Sequence, residues 1–351
     1  MTHKKVLFIL KRREDYNIAI HSSHPGLSTG LFNSATFINE LLKERGIESH
    51  LVIVHDNNDI DREVNNYKPT HVVIEALWVV PEKFSVLMPL HPNVKWIIRL
   101  HSEVPFLAGE GMAFDWLGRY LDYKNVMIAC NAPRMLDTLK IFLKGKYTDK
   151  FLKDKVLYFP NYYPQTYKNK KFKLQGRHID IGCFGAIRPL KNQVTQALAA
   201  LEFAELINRK LKFHINVGRV EMNGSPILNN IRGIFDTVRS KGHLLVEHTW
   251  TSRDEFLTLC ASMDIGLQVS FSETFNIVAA DFISQGVPFI GSSEIPWSSV
   301  LFNASPTEQH SIFSLLIMTY TFPGLNVWMN QNNLKSYTNK SAEEWVKYFT
   351  I

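Results

Sequence analysis

The 351-residue chain has no apolar run approaching the ~20 residues that span a bilayer. Its apolar stretches are short and interrupted, as at Val6-Leu-Phe-Ile-Leu10 and Val72-Val73-Ile74. A soluble chain with no transmembrane segment is expected. The basic start Met1-Thr-His-Lys-Lys5 leads into an apolar run too short for a signal peptide and lacks a small-residue cleavage site, so it reads as a first strand. Cysteine is scarce. Cys130, Cys183 and Cys260 lie far apart with no Cys-x-x-Cys spacing, which argues against a disulfide framework and a structural zinc site and favours a reducing, cytoplasmic compartment. No Gly-x4-Gly-Lys-Ser/Thr loop occurs, so ATP hydrolysis on a P-loop is not expected.

What is present is 45% apolar and 21% charged sequence, enough for about two globular domains. The net charge of +6 is unevenly placed. Residues 1–178 hold 26 Lys and Arg against 18 Asp and Glu, a net of +8, whereas residues 179–351 hold 13 against 15, a net of −2. Twelve basic residues between Arg134 and Arg177 meet only Asp137, Asp149 and Asp154. Such a stretch suits the phosphates of DNA or of an anionic membrane surface, or else is a solvated helix face plus linker.

Val- and Ile-rich runs recur at Val6–Leu10, Leu51–Val54, Val72–Ala76, Trp96–Leu100, Val126–Cys130 and Val156–Phe159. Continuous rather than alternating hydrophobicity predicts strands buried on both faces of a parallel sheet. A helix is predicted from Phe32 to Arg45, stopped by Gly46. Residues 161–178, with Pro164, Gly176 and dense charge, read as a linker. A second series follows at Ile179–Phe184, Phe213–Val217, Leu244–Val246, Ile265–Val269 and Val287–Ile290, with a helix from Gln193 to Leu211. The expected fold is α/β, two doubly wound Rossmann-like domains facing a cleft, with domain one at 1–160 and domain two at 179–339. Ser341–Ile351 has the spacing of a short amphipathic helix opened by a serine-to-glutamate capping box.

The most informative segment is Ser270-Phe-Ser-Glu-Thr-Phe-Asn-Ile-Val-Ala-Ala-Asp-Phe-Ile-Ser-Gln-Gly-Val-Pro-Phe-Ile290. Glu273 leaves a predicted strand, and Asp281 follows eight positions later, a little over two helical turns. Two carboxylates on one side of a crevice suit bidentate hydrogen bonding to vicinal hydroxyls. The segment resembles the retaining glycosyltransferases of family 4, of the GT-B fold, whose pattern runs Ser/Pro-x-x-Glu-x-Phe-Gly-x4-Glu-Ala-x3-Gly-x-Pro-Val-Ile. The resemblance implies that Glu273 contacts the donor sugar, that Asp281 contacts the nucleotide ribose, and that Thr274, Phe275, Asn276 and Ile277 belong to the donor site. It also implies that residues near 340–351 cross back to domain one. Asp281 stands where the family has Glu, and Asn276 where it has Gly.

Ile181-Gly-Cys-Phe-Gly-Ala-Ile-Arg-Pro-Leu-Lys-Asn192 joins a predicted strand to a helix. Gly185 permits close backbone approach, while Arg188 and Lys191 place cations where a helix dipole already favours an anion. This is similar to the family's Gly-Arg-x4-Lys-Gly turn, with Lys191 in register and Ala186 at the arginine position, so Arg188 is expected to replace it. Gly26-Leu-Ser-Thr-Gly30 resembles the family's glycine-rich loop, which puts Gly30 near the donor phosphate. Arg12, Arg13, His21 and His24 in the preceding loop are candidates for acceptor contact. His101, directly after a strand, matches the family histidine that touches the donor sugar, and Arg99 is expected to point to the other face. Asp59-Ile-Asp61 has the spacing of a metal motif, but it lies in a polar stretch without further ligands and reads as a solvated loop.

These residues together point to transfer of a hexosyl or pentosyl group from a nucleotide diphosphate sugar to an acceptor hydroxyl, with retention implied by the resemblance alone. No cofactor is expected, and cations at the diphosphate replace a metal. The acceptor is either a hydroxymethylated pyrimidine in phage-type DNA or a surface glycan or lipid-linked precursor. A non-catalytic nucleotide-sugar sensor is the alternative of another class.

Overall fold

The structure is a computed structural model that describes residues 4–12, 29–170, 172 and 176–350. Arg13, His21 and His24, together with Gly26, lie outside the described residues. Contacts divide the chain into two compact units, one holding Thr29–Pro164 and the chain from Thr338 onward, the other Gln165–Tyr337.

The first unit is a six-stranded sheet of β1 (Lys5–Lys11), β2 (Glu48–Val54), β3 (His71–Glu75), β4 (Lys95–Leu100), β5 (Val126–Cys130) and β6 (Val156–Tyr158) in the order β2-β1-β3-β4-β5-β6. Every pairing is parallel. The central strands are buried along their whole length, as their unbroken apolar runs require once helices cover both faces. Trp345 and Phe349, from the last turns of the helix Pro323–Thr350, close one face against Phe8 and Phe159. The Trp345 indole donates to Pro160 O at 2.8 Å.

The second unit is a five-stranded parallel sheet of β7 (His178–Gly182), β8 (Lys210–Asn216), β9 (Leu244–His248), β10 (Ile265–Gln268) and β11 (Phe289–Gly291) in the order β11-β10-β7-β8-β9. From β7 the chain winds outward to β9, then returns to build β10 on the other side of β7. Doubly wound sheets bind ligands outside the carboxyl ends of the strands at this reversal, here after Gly182 and Gln268.

Three local expectations are corrected. The helix from Gln193 ends at Leu206, not Leu211, because Asn208 turns left-handed (φ 53) and releases the chain into β8. Asp59-Ile-Asp61 opens the helix Asp59–Tyr67 rather than a loop, with Asp59 accepting from His55 N at 2.9 Å and Asp61 pairing with His91 at 2.7 Å. Ser341 does not open a helix: it is a buried position inside the helix Pro323–Thr350. That helix runs through an Asn-rich stretch of weak propensity because tertiary bonds override it. Asn326 is bonded to both Phe289 N and Phe289 O, and Asn330 Oδ1 accepts from Ser299 N.

Candidate functional site

In the second unit, two loops leave the sheet side by side at the reversal. The first, from Cys183 to Asn192, is shaped by its polar side chains. Gly185 takes φ 121, a region open to glycine, and its N–H donates to Asn216 Oδ1 at 3.1 Å. Asn192, also left-handed, donates to Val269 O and Pro306 O. Gln193 holds Ala186 O, and Gln196 holds Lys191 O while accepting from Val269 N at 2.8 Å. Phe271 N donates to Leu190 O, tying the second loop to the first. These bonds fix Lys191, whose ammonium pairs with Glu273 Oε1, both groups being largely buried.

Asn276 explains one departure from the sequence pattern. Its φ of 60 is a left-handed conformation, which glycine adopts freely and asparagine adopts more readily than other side chains. The amide is then used three ways. Its Nδ2 donates to Glu273 Oε1 at 3.1 Å and to Gln268 Oε1 at 3.0 Å, while its Oδ1 caps the helix Ile277–Ser284 by accepting from Ala279 N at 3.0 Å. The N–H groups of Ile277 and Val278, at the start of that helix, lack intrahelical acceptors by geometry. Phe275 is an anchor: its ring is buried against Trp297 and Tyr337, and its carbonyl accepts from the Trp297 indole at 2.7 Å. Thr274 is buried beside it. Gly286 ends the helix at φ 71 and leaves room for the backbone of Lys168 and Lys170, whose Cβ-sized gap a larger residue would fill.

Two further expected residues have charged partners of their own. Arg188 sits with Glu221 (3.5 Å), which also holds Arg219 at 2.5 Å. Asp281 has a side chain only 1% exposed and pairs with Arg253 Nη2 at 2.7 Å, the guanidinium being 23% exposed. Nothing in the sequence around Arg253 singles it out for this role. It opens the helix Arg253–Ser262, which begins with a capping box at Ser252 and Glu255.

The first unit carries its own buried polar cluster at the carboxyl ends of β3, β4 and β5. Glu75 and Arg99 are both 0% exposed, and Arg99 Nη1 stands 3.2 and 3.1 Å from the two Glu75 oxygens. Arg99 also donates to Phe159 O, Pro160 O and Asn161 Oδ1, the last at 2.6 Å. His101 Nε2 is bonded to Glu75 Oε2, and its Nδ1 faces Asn131 Nδ2 at 3.5 Å. Burial raises the Glu75 carboxyl, but Arg99 and His101 outweigh it and hold the group below the usual range. Burial and Arg99 together outweigh Glu75 at His101 and keep the imidazole pKa low. The expectation that Arg99 points away from His101 is corrected, since residues two apart share a face and both converge on Glu75. The signal for Glu75 in the sequence is a lone acid ending an apolar run.

Gly30 is the first residue of the helix Gly30–Glu44, capped by Thr29 Oγ1, which accepts from Phe32 N at 3.3 Å. Arg12 is exposed, and its N–H donates to Val54 O. The basic stretch is divided between the units at Pro164. Several of its cations are engaged: Arg134 with Glu103, Lys144 with Asp149, Lys146 with Asp122, and Lys170 with Met263 O. Among the described residues no cluster of three or more His, Cys, Asp or Glu could hold a metal. No single helix among them is long and apolar enough to cross a membrane.

No family model matches the chain, and no curated protein matches it. Solved structures do. HepE from Anabaena in complex with UDP is 12% identical with a TM-score of 0.63, over 97% of this chain and 95% of that one. A UDP-forming α,α-trehalose-phosphate synthase from Burkholderia xenovorans is 9% identical with a TM-score of 0.67, covering 99% and 98%. A glycosyltransferase from Rickettsia africae is 11% identical with a TM-score of 0.65, also covering 99% and 98%. At such identities the likeness establishes the fold, which is the GT-B class of two Rossmann-like units.

Proposed function

We propose that the protein is a glycosyltransferase that uses a nucleotide diphosphate sugar. The observation that carries this reading is the buried Lys191–Glu273 pair, held by Asn276 at the reversal point of the second sheet. Lys191 and the amides opening the helix Ile277–Ser284 suit a diphosphate, which needs concentrated positive charge as it leaves. Glu273 suits the hydroxyls and the developing positive charge of a sugar. Structures of the same fold were solved with UDP and, for the Anabaena protein, with UDP-glucose. Asp281 and Arg253 serve the nucleotide, and for His101 in the first unit contact with a sugar hydroxyl is what the sequence resemblance implies.

Retention is the stereochemistry the sequence resemblance implies, and a metal is not required because Lys191 occupies that electrostatic role. The acceptor hydroxyl belongs to a molecule with anionic character, a modified DNA or a lipid-linked glycan, that the cations of residues 134–177 draw in. Titration with UDP-, ADP- and GDP-glucose, followed by assay of nucleotide release, tests the reading. Absence of binding to all three would refute it. Binding without release or transfer, in the presence of DNA and glycan acceptors, would instead favour the sensor.

A further inference from the structure

We propose that Glu75 is a positioning residue for His101: its buried carboxylate holds the imidazole as the Nε2–H tautomer, which leaves the ring's lone pair on Nδ1, where a sugar hydroxyl takes the place of the long 3.5 Å contact from Asn131 Nδ2. The hydroxyl's identity rests on the nucleotide-sugar reading. The tautomer does not.

The argument begins at Arg99, a guanidinium that can only donate. Two chains of hydrogen bonds run from it to the two nitrogens of His101. Along the first, Arg99 Nη1 faces both oxygens of Glu75 and keeps it ionised. An ionised carboxylate only accepts, so the contact between Glu75 Oε2 and His101 Nε2 needs its proton on Nε2. Along the second, Arg99 Nη2 and Ser34 Oγ both donate to Asn161 Oδ1, at 2.6 and 2.9 Å, which fixes that amide's orientation. Asn161 Oδ1 in turn faces Asn131 Nδ2 at 3.4 Å, so Asn131 presents its NH2 group toward His101 Nδ1. A donor there calls for a lone pair on Nδ1. Both chains give the same tautomer, and the direct approach of Arg99 Nη1 to Nε2 at 3.4 Å is a donor facing a donor, outweighed by the much closer Glu75 Oε2.

A network this buried could serve only to fasten the strand ends. His101 argues for more, because its side chain is 14% exposed while Glu75 and Arg99 are fully enclosed. The imidazole is therefore the member of the Glu75–Arg99–His101 set that a ligand can reach. A histidine whose far nitrogen is held by a carboxylate is the arrangement by which a base or acceptor is oriented in other sites. The charged groups bearing on His101 among the described residues are Arg99 and Glu75.

The test has two arms. In the first, the full-length protein labelled with ¹⁵N-histidine is examined by NMR, the His101 signals being assigned through their loss in H101N. A neutral ring protonated on Nε2 between about pH 6 and pH 8 is expected. Protonation on Nδ1, or an imidazolium, overturns the proposal whether or not the protein transfers sugar. The second arm measures kcat/KM for nucleotide release against pH in E75Q, with whichever of UDP-, ADP- and GDP-glucose is turned over. The amide that E75Q introduces admits either tautomer, so kcat/KM should fall about tenfold, the worth of one good hydrogen bond. Loss of the negative charge should also move the acid limb to lower pH. A folded E75Q with wild-type kcat/KM and an unmoved acid limb overturns the catalytic role. Should E75Q not fold, the wild-type tautomer decides alone. Turnover of none of the three donors counts against the transferase reading and leaves the first arm standing.

Discussion

The two halves of the Lys191–Glu273 pair should respond to mutation in opposite directions, and that opposition is the sharpest test of the second unit's site. Lys191→Ala removes the cation assigned to the diphosphate. A hydrogen bond to a charged group contributes about 1.5–3 kcal/mol, so UDP should bind about 10- to 100-fold more weakly. Glu273→Gln keeps the shape and the Asn276 contact but frees Lys191 from its competing carboxylate. UDP should then bind as tightly as to wild type or more tightly, while turnover falls about 100-fold or more on the scale of transition-state electrostatics. Stability separates these effects from simple damage. Removing one partner of a fully buried pair costs about 3–5 kcal/mol. Both groups here keep some exposure to solvent, and Asn276 Nδ2 remains on Glu273, so K191A should cost less. Calorimetric titration with UDP and urea unfolding of both variants supply the numbers. Equal weakening of UDP by both substitutions would refute the division of labour and make the pair a structural staple.

Strands such as β3 and β5 are legible in the sequence because burial on both faces writes a continuous apolar run, a signal that needs no knowledge of the partner strands, whereas the edge strands β2 and β9 are partly exposed. The order of the strands is not legible in that way, since pairing depends on surfaces that meet only after folding. The reversal at β7 and β10 is what brings Lys191 and Glu273 together, across 82 residues of sequence. Helix ends are less secure. The ends near Leu206 and Ser341 depart from expectation because a left-handed Asn208 and the buried bonds of Asn326 and Asn330 count for more than local propensity.

The site is legible where a charge interrupts a recognisable pattern, as at Glu273 and Lys191. It is hidden where the decisive fact is a pairing. Nothing in the spacing says that Asp281 is covered by Arg253, or that Arg188 is engaged with Glu221. Asn276 looks in the sequence like a loss of the glycine the turn needs, yet its left-handed backbone and triple use make it a working replacement.

The remaining predictions concern stability, charge and this turn. Burial, with Lys95 and Lys4, lowers the His71 pKa to about 4. The folded protein therefore binds that proton less readily than the unfolded chain, so stability should be full above about pH 6.5 and fall by about 3 kcal/mol toward pH 4. Urea unfolding across that range checks it, and an H71N variant that kept the same slope would exclude His71 as the cause. Nucleotide release should survive EDTA undiminished, and loss of activity restored by a divalent cation would refute the metal-independent reading. Replacing Lys144, Lys150 and Lys153 with Gln should flatten the salt dependence of DNA binding by about 0.9 in log–log slope for each phosphate no longer neutralised. If the acceptor is lipid-linked, the same variant should instead lose about 1 kcal/mol of vesicle affinity per lysine. Unchanged binding to both would remove these three cations from the acceptor proposal. The turn itself is tested by comparing Asn276→Gly with Asn276→Ala. Both variants lose the two bonds donated by Nδ2; alanine in addition loses the helix cap, worth about 1 kcal/mol, and must hold φ 60 at a further cost of about 1 kcal/mol. Glycine adopts that φ freely and replaces a capping asparagine at only a few tenths of a kcal/mol, so N276G should be about 1–2 kcal/mol more stable than N276A in urea unfolding. Both variants lose the amide on Glu273 and should lose turnover alike. If glycine and alanine were equally destabilising, the left-handed backbone would not be what selects the residue at this position.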